Sequence, residues 1–322
     1  MNQYQCKWER PLILFVCLTW MGCGSTTNQE DPVEVVKRTD LDKLPVAHRE
    51  LMLAWRNQTP DWPRRREMAL DDPSLTRFLV ENLMVELLAA WQAGSFTRRG
   101  FPELGRYDVI KRELWQIGAP VAEPMAELLA MGNGQGPAIA GDVLQGLGPA
   151  GVQAVSKHLL RTDGWSARGR AAELLARLPH GGEFEAEVQE RLIELLHSDP
   201  EWIVRKHCAL ALAQRSRGLG GAGAVTPDRA LGALSRALVD PDPAVAKAAA
   251  VGLGLLGDVR AVPALINDLE RILRSTDLSH TRSVYRSLSV LTGMRDLRGT
   301  SAWRDWWHLH GKARVDAQRG DS

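Results

Sequence analysis

From about residue 105 onward, apolar residues return at intervals of three, four and seven, the spacing that lines one side of an α-helix. Val188, Leu192 and Leu195 make one such stripe; Leu231, Leu234 and Leu238 another; and Val262, Leu265, Leu269 and Ile272 a third, with Val152, Val155 and Leu159 ahead of them. Between these lie smaller-residue stripes: Val204, Cys208 and Ala211; Val245, Ala249, Gly252 and Leu256; and Val284, Leu288 and Leu291. The alternation of a half-buried strand is absent. Helix after helix runs to a similar stop, at Ile117-Gly118, Leu147-Gly148, Leu178-Pro179, Leu256-Gly257 and Thr292-Gly293, the first three thirty residues apart. Glycine at such a stop adopts the left-handed conformation that ends a helix at little cost. One helix pair cannot bury its own apolar side, but a stack of pairs can. The pattern therefore predicts an all-α chain, an α-solenoid of antiparallel helix pairs over residues 105–293.

Residues 47–104 are helical in pattern without the repeat. Pro60 and Pro63 separate a first helix from later ones, and Asp71-Asp72-Pro73-Ser74 reads as a helix start ahead of Leu79, Leu83, Leu87 and Leu88. Gly94-Ser95 and Gly100-Phe101-Pro102 interrupt the segment. At the other end, Trp303, Trp306 and Trp307 fall on one helix side, so residues 294–311 read as a cap over the last apolar face, and 312–322 as a polar tail.

Hydrophobic content of 44% with 25% charged residues is ordinary for a folded protein, and abundant Leu and Ala favour helix. Residues 1–22 stand apart. Lys7 and Arg10 precede an apolar run from Pro11 to Met21, too short to span a bilayer, which predicts an export signal followed by a flexible tether over 23–46. Gly22-Cys23-Gly24-Ser25 resembles a bacterial lipoprotein cleavage site, with Trp20 where such sites usually carry Leu. The resemblance implies acylation of Cys23 and a lipid anchor; cleavage by ordinary signal peptidase and an uncleaved anchor are the alternatives. Removing 1–22 takes away Lys7, Arg10 and Glu9, so the 40 basic and 39 acidic residues become 38 of each. Nucleic-acid binders carry a clear basic excess, and no nucleic-acid partner is expected.

The segments Leu195-Leu196-His197-Ser198-Asp199-Pro200-Glu201-Trp202-Ile203-Val204-Arg205 and Leu238-Val239-Asp240-Pro241-Asp242-Pro243-Ala244-Val245 resemble HEAT repeats, including their short PBS-lyase-like form. The family joins its helices by an Asp-Pro turn followed by Val and Arg. The resemblance implies an armadillo-type superhelix in which Asp caps the second helix and pairs with Arg, repeating from unit to unit as a ladder. Asp199 and Arg205 occupy those places; the next unit keeps Asp240 but has Ala246 for Arg, and around Asp163 and Arg168 the turn must differ in length.

Candidate chemistry is sparse. Cys208 is alone in the folded body and reads as a small buried hydrophobe. His308 and His310 point apart on a helix, His197 and His207 lack a metal-ligand spacing, and Gly132-Asn133-Gly134-Gln135-Gly136 follows a helix rather than the strand a phosphate cradle needs. Arg64-Arg65-Arg66 and Arg98-Arg99 read as solvated surface or headgroup contacts. No catalytic constellation, cofactor or metal is predicted. The leading reading is a non-catalytic scaffold, exported and facing the periplasm, that binds a protein partner along its concave side. A bilin-lyase-like enzyme and a purely structural envelope protein are the alternatives. One row draws notice: Lys206, Lys247 and Arg286 each stand two residues after the core positions Val204, Val245 and Val284. Arg112 and Arg170 share the offset and Gly141 interrupts it. The row reads either as a site for an acidic partner or as a solvated face.

Overall fold

The computed structural model describes residues 41–96, 102–131, 135–160, 162–179, 184–217, 227–275 and 278–320. The described residues form fifteen α-helices and no strand. The chain divides into two compact units, the boundary falling after Val121.

The first unit holds α1 (Val46–Arg56), α2 (Trp62–Leu70), α3 (Pro73–Phe96) and α4 (Pro102–Ile117). The Asp72 carboxylate accepts from the amides of Ser74 at 2.8 Å and Leu75 at 3.3 Å, satisfying two of the donors a helix start leaves unpaired. Leu79, Leu83 and Leu87 are buried, and Tyr107, Ile110, Leu114 and Ile117 of α4 present the matching stripe as the two helices pack. Leu88 is only half-buried.

The second unit is a succession of helix pairs. They are α5 (Ala119–Ala130, its first turn ahead of the boundary) with α6 (Gly136–Gly146), then α7 (Pro149–Ala154) with α8 (Trp165–Leu175). There follow α9 (Glu185–Ser198) with α10 (Trp202–Ser216), α11 (Pro227–Ala237) with α12 (Pro243–Leu256), and α13 (Val262–Arg274) with α14 (Thr281–Thr292). The stack is an α-solenoid. Leu192, Val204, Ala211, Leu234, Val245, Ala249, Leu265 and Leu288, all from the predicted stripes, are fully buried. Gly257 and Gly293 end their helices at φ +78°. A wide π turn (Val155–Leu159) extends α7 and carries the chain to the buried Leu160.

Second helices touch one another in series, α8 to α10 to α12 to α14. Small residues allow this: Ala246, Ala248, Ala249, Ala250, Gly252 and Gly254 of α12 are all buried. A Cβ on Gly254 would lie 3.1 Å from the Ser287 Cα and 2.6 Å from its Oγ, while that hydroxyl donates to the Ala250 carbonyl at 2.7 Å. The second helices thus form a tight layer behind which the first helices pack.

The last helix, α15 (Gly299–Gly320), runs through the stretch that reads as a polar tail. Trp303 and Trp306 are buried and α15 packs on α13. Gln318, far along the helix, donates to the Gly257 carbonyl and accepts from the Val259 amide, both at 3.0 Å. Two backbone groups freed at the end of α12 are satisfied in this way, which holds the polar end of α15 in place.

Candidate interaction face

The turns of the stack are fixed by an Asp-Arg ladder that runs from unit to unit, with the aspartate shaping the turn and not capping the helix. Arg205 does not pair with Asp199 of its own turn: its guanidinium grips Asp240 of the next unit, with both bonds at 2.8 Å, and gives its remaining nitrogen to the carbonyls of Asp199 and Pro200. Arg168 does the same one unit earlier, bonding Asp199 at 2.6 and 3.1 Å and the Thr162 and Asp163 carbonyls. Each aspartate also accepts from the amide two residues on, Glu201 or Asp242, so it shapes the turn and leaves the helix start to the next residues. The cap of α12 is Asp242, which accepts from the Ala244 amide at 2.8 Å. The pairing crosses units because an arginine in the first turn of a second helix reaches the following turn in the stack, while its own turn's carbonyls lie beneath it. Such forked, nearly buried pairs are strong and directional. The hydrogen bonds to Asp199 and Asp240 raise the titration points of Arg168 and Arg205. The ladder stops at Ala246, buried in the arginine's place.

This ladder sets the register of α8. If Arg168 corresponds to Arg205, then Gly169 and not Arg170 corresponds to Lys206. Arg170 instead turns back to the Leu129 and Ala130 carbonyls at 2.9 and 3.0 Å, and burial lowers its titration point. It leaves the basic row. Arg112 belongs to the first unit, where its side chain bonds the Asp108 carbonyl.

Lys206, Lys247 and Arg286 sit on α10, α12 and α14, whose successive contacts bring them to equivalent places in one layer. Lys247 and Arg286 are exposed. Lys206 is half-buried, its Nζ 5.8 Å from the centroid of the exposed Trp202 ring. None of the three forms an ion pair among the described residues. On α12, packed by α10 and α14 at its sides and α11 behind, the accessible residues Ala244, Lys247, Val251 and Leu255 recur every three or four positions on the remaining side. Leu210 and Gln214 on α10, and Val290 with Met294 at the end of α14, hold the places of Val251 and Leu255.

Acidic residues are segregated between the layers, although the first helices also carry Arg191, Arg229, Arg236, Arg271 and Arg274. The helices α10, α12 and α14 contain no Asp or Glu, whereas α9 carries Glu185, Glu187, Glu190 and Glu194, α11 carries Asp228, and α13 carries Asp268 and Glu270. On α8 the pattern ends, because Glu173 stands where Leu210 does on α10. A groove of about 330 Å³ beside it is lined by both signs of charge, with Arg170, Arg177, Asp142 and Glu173.

The remaining candidates fall outside this face. Arg65 pairs with Asp61 at 2.6 Å and Arg66 with the buried Glu113 at 3.0 Å, so two of the three clustered arginines already have carboxylates. Cys208 is fully buried and its thiol is pushed up by burial, away from the reactive thiolate. His308 and His310 are exposed on α15. Burial lowers the titration points of His197 and His207, with Arg236 adding to the first and Lys206 to the second. Among the described residues no cluster of His, Cys, Asp and Glu is arranged to hold a metal ion. Cys23, Arg98-Arg99 and Gly132-Asn133-Gly134 lie outside the described residues.

Buried polar groups were missed by pattern alone. Arg215, 1% exposed, bonds Glu185 at 2.9 and 2.5 Å and the Leu175 and Pro179 carbonyls, while Gln189 donates to Glu185 and to the Arg215 carbonyl. The signal was present: Arg215 continues the stripe Val204, Cys208, Ala211 by four residues. Asp268, inside the α13 stripe, accepts from Arg271 and meets the buried His280 at 3.2 Å.

Helix pairs stacked through a common layer of second helices and tied by a unit-to-unit side-chain ladder define a helical-repeat solenoid. Within it, residues 189–289 match the family described as HEAT repeats. No curated protein sequence matches the chain. Among solved structures, a designed armadillo repeat protein is 17% identical with a TM-score of 0.40, covering 70% of this chain and 98% of its own. A designed armadillo repeat protein in complex with the peptide (KR)4 is 16% identical with a TM-score of 0.39, over 65% of this chain and 98% of its own. The karyopherin Kap121p bound to the SUMO protease Ulp1p is 13% identical with a TM-score of 0.48, over 85% of this chain and 32% of its own.

Proposed function

We propose that this protein is a non-catalytic interaction scaffold that binds a protein partner along the layer of second helices, held at the outer side of the cytoplasmic membrane by an acylated Cys23. The observation that carries the binding side is the segregation of the acids: α10, α12 and α14 present Lys206, Lys247 and Arg286 beside accessible aliphatic residues and contain no carboxylate, while the acids of these units lie on the first helices. The anchor rests on the basic start, the short apolar run and Gly22-Cys23-Gly24-Ser25. A single acyl chain holds a protein only marginally, and the lipoprotein modification supplies more than one. No helix among the described residues is long and apolar enough to cross a membrane. The test places a photo-crosslinking residue at Lys247 in one variant and at Glu194, on α9, in another, in the cells that make the protein. One protein captured from position 247 and not from 194 is expected; equal capture from both removes the assigned side. Labelled fatty acid is expected to enter the wild type and not Cys23→Ala, and equal labelling removes the anchor.

A further inference from the structure

We infer that the strip formed by α10, α12 and α14 seats an acidic amphipathic α-helix of a partner protein, an assignment that rests on the scaffold reading above. The strip has two parallel rows. Lys206, Lys247 and Arg286 form one, and Leu210, Val251 and Val290, four residues further along each helix, form the other. Leu210 and Val251 are half-buried, Val290 is 63% exposed, and Met294 follows it at 40%. Four residues of helix advance about 6 Å, so the two rows lie side by side at roughly that separation. Neighbouring packed helices stand about 8–10 Å apart, which spaces the cations along their row.

A bound helix crossing the second helices advances 1.5 Å per residue, so the cations recur about every five to seven of its residues, and of these intervals seven returns a side chain to the same side of the helix. Carboxylates at that spacing, with aliphatic residues three and four positions on, would meet both rows at once. A helix with its side chains is about 10–12 Å across and covers both rows, whereas an extended strand occupies about 5 Å and covers one. Charge complementarity fixes the sign: the three cations have no carboxylate partner among the described residues, and the helices that bear them supply none. A phosphate backbone would satisfy the cations and leave the aliphatic row against a charged ligand. The strip ends at α8, where Gly169 replaces the cation and Glu173 the aliphatic residue.

The experiment titrates the full chain with a labelled synthetic helical peptide that carries Glu at seven-residue intervals and Leu three and four places later. A peptide of identical composition in scrambled order and vesicles containing phosphatidylglycerol serve as the other arms. The patterned peptide is expected to bind at least about tenfold tighter than the scrambled one, the aliphatic row supplying the difference. Lys206→Glu, Lys247→Glu and Arg286→Glu together are expected to weaken it roughly a hundredfold, and Leu210→Ser with Val290→Ser roughly tenfold. Lys206→Arg with Lys247→Arg should retain binding. Thermal melting monitors folding, and the same three positions changed to Gln replace the Glu variant if it melts early. Equal binding of patterned and scrambled peptides, no binding of either, or vesicle binding that the row variant abolishes while the peptide's survives would each overturn the inference. A native partner crosslinked from position 247 that is indifferent to the row variant would overturn the strip and leave the scaffold standing. Failure to capture any partner from that side would remove the scaffold reading itself.

Discussion

In the first unit two glutamates gather donors from helices far apart in sequence. Glu86 accepts from the Trp55 indole at 3.0 Å and from Arg56 and Arg106 at 3.1 Å, and Glu113 from the Trp62 indole and Arg66 at 3.0 Å. In the second unit the same task is done by a device used more than once, an arginine early in a second helix forked onto the aspartate of the next turn. The first arrangement joins particular helices at particular places and has no period. The second propagates, so each unit fixes the orientation of the next, and a regular face results. Repetition is what turns local ties into a surface with rows on it.

The sharpest way to break the comparison is at the buried ion pair of the second unit. Arg215→Ala should destabilise by about 3–5 kcal/mol in urea unfolding, because Glu185 is left charged and buried. Glu185→Leu with Arg215→Met should cost much less than either single change, since no charge is then stranded. If the single and the double changes cost the same, the pair does not act as a unit.

Glycine separates the units by sign. Gly254→Ala should cost about 1–3 kcal/mol, as its Cβ would press on the Ser287 backbone of α14. Gly105→Ala, in the exposed part of α4 with nothing within 4 Å of the added carbon, should stabilise by roughly 0.5–1 kcal/mol. Melting temperatures of the two variants moving in the same direction would contradict the packing assigned to the second-helix layer.

The smallest effect concerns pH. Burial and the neighbouring Lys206 hold His207 below its usual 6.5, so the unfolded chain takes up this proton first. Its contribution to stability is complete above pH 6.5 and is lost as the pH falls below that value toward the folded-state value. His207 is half-buried and partly solvated, so the loss is small. His207→Gln should flatten the decline of melting temperature in acid, and Lys206→Gln should flatten it partly. An unchanged acid decline in His207→Gln would assign the effect elsewhere.

Periodicity by itself determined that this is an all-α repeat stack, which apolar residues fill most of its core, and the stops at Gly118, Gly148, Gly257 and Gly293. Those features depend on which side of a helix is apolar and on where glycine permits a left-handed turn, and both are written residue by residue. It also placed Lys206, Lys247 and Arg286 in phase, because equivalent positions in a repeat share a direction. What only the tertiary structure decided is how one unit holds the next. Arg205 and Asp199 are neighbours along the chain and fit a local pair, yet the fork closes on Asp240, thirty-five residues on. Arg170 leaves the basic row for the same reason, since the ladder, and not the spacing within α8, sets its register. A helix that reads as ending before residue 312 continues to Gly320 because Gln318 meets backbone groups left open by α12. Sequence spacing records the direction of a side chain around its own axis, and the partner it finds there depends on the rise and offset of the stack.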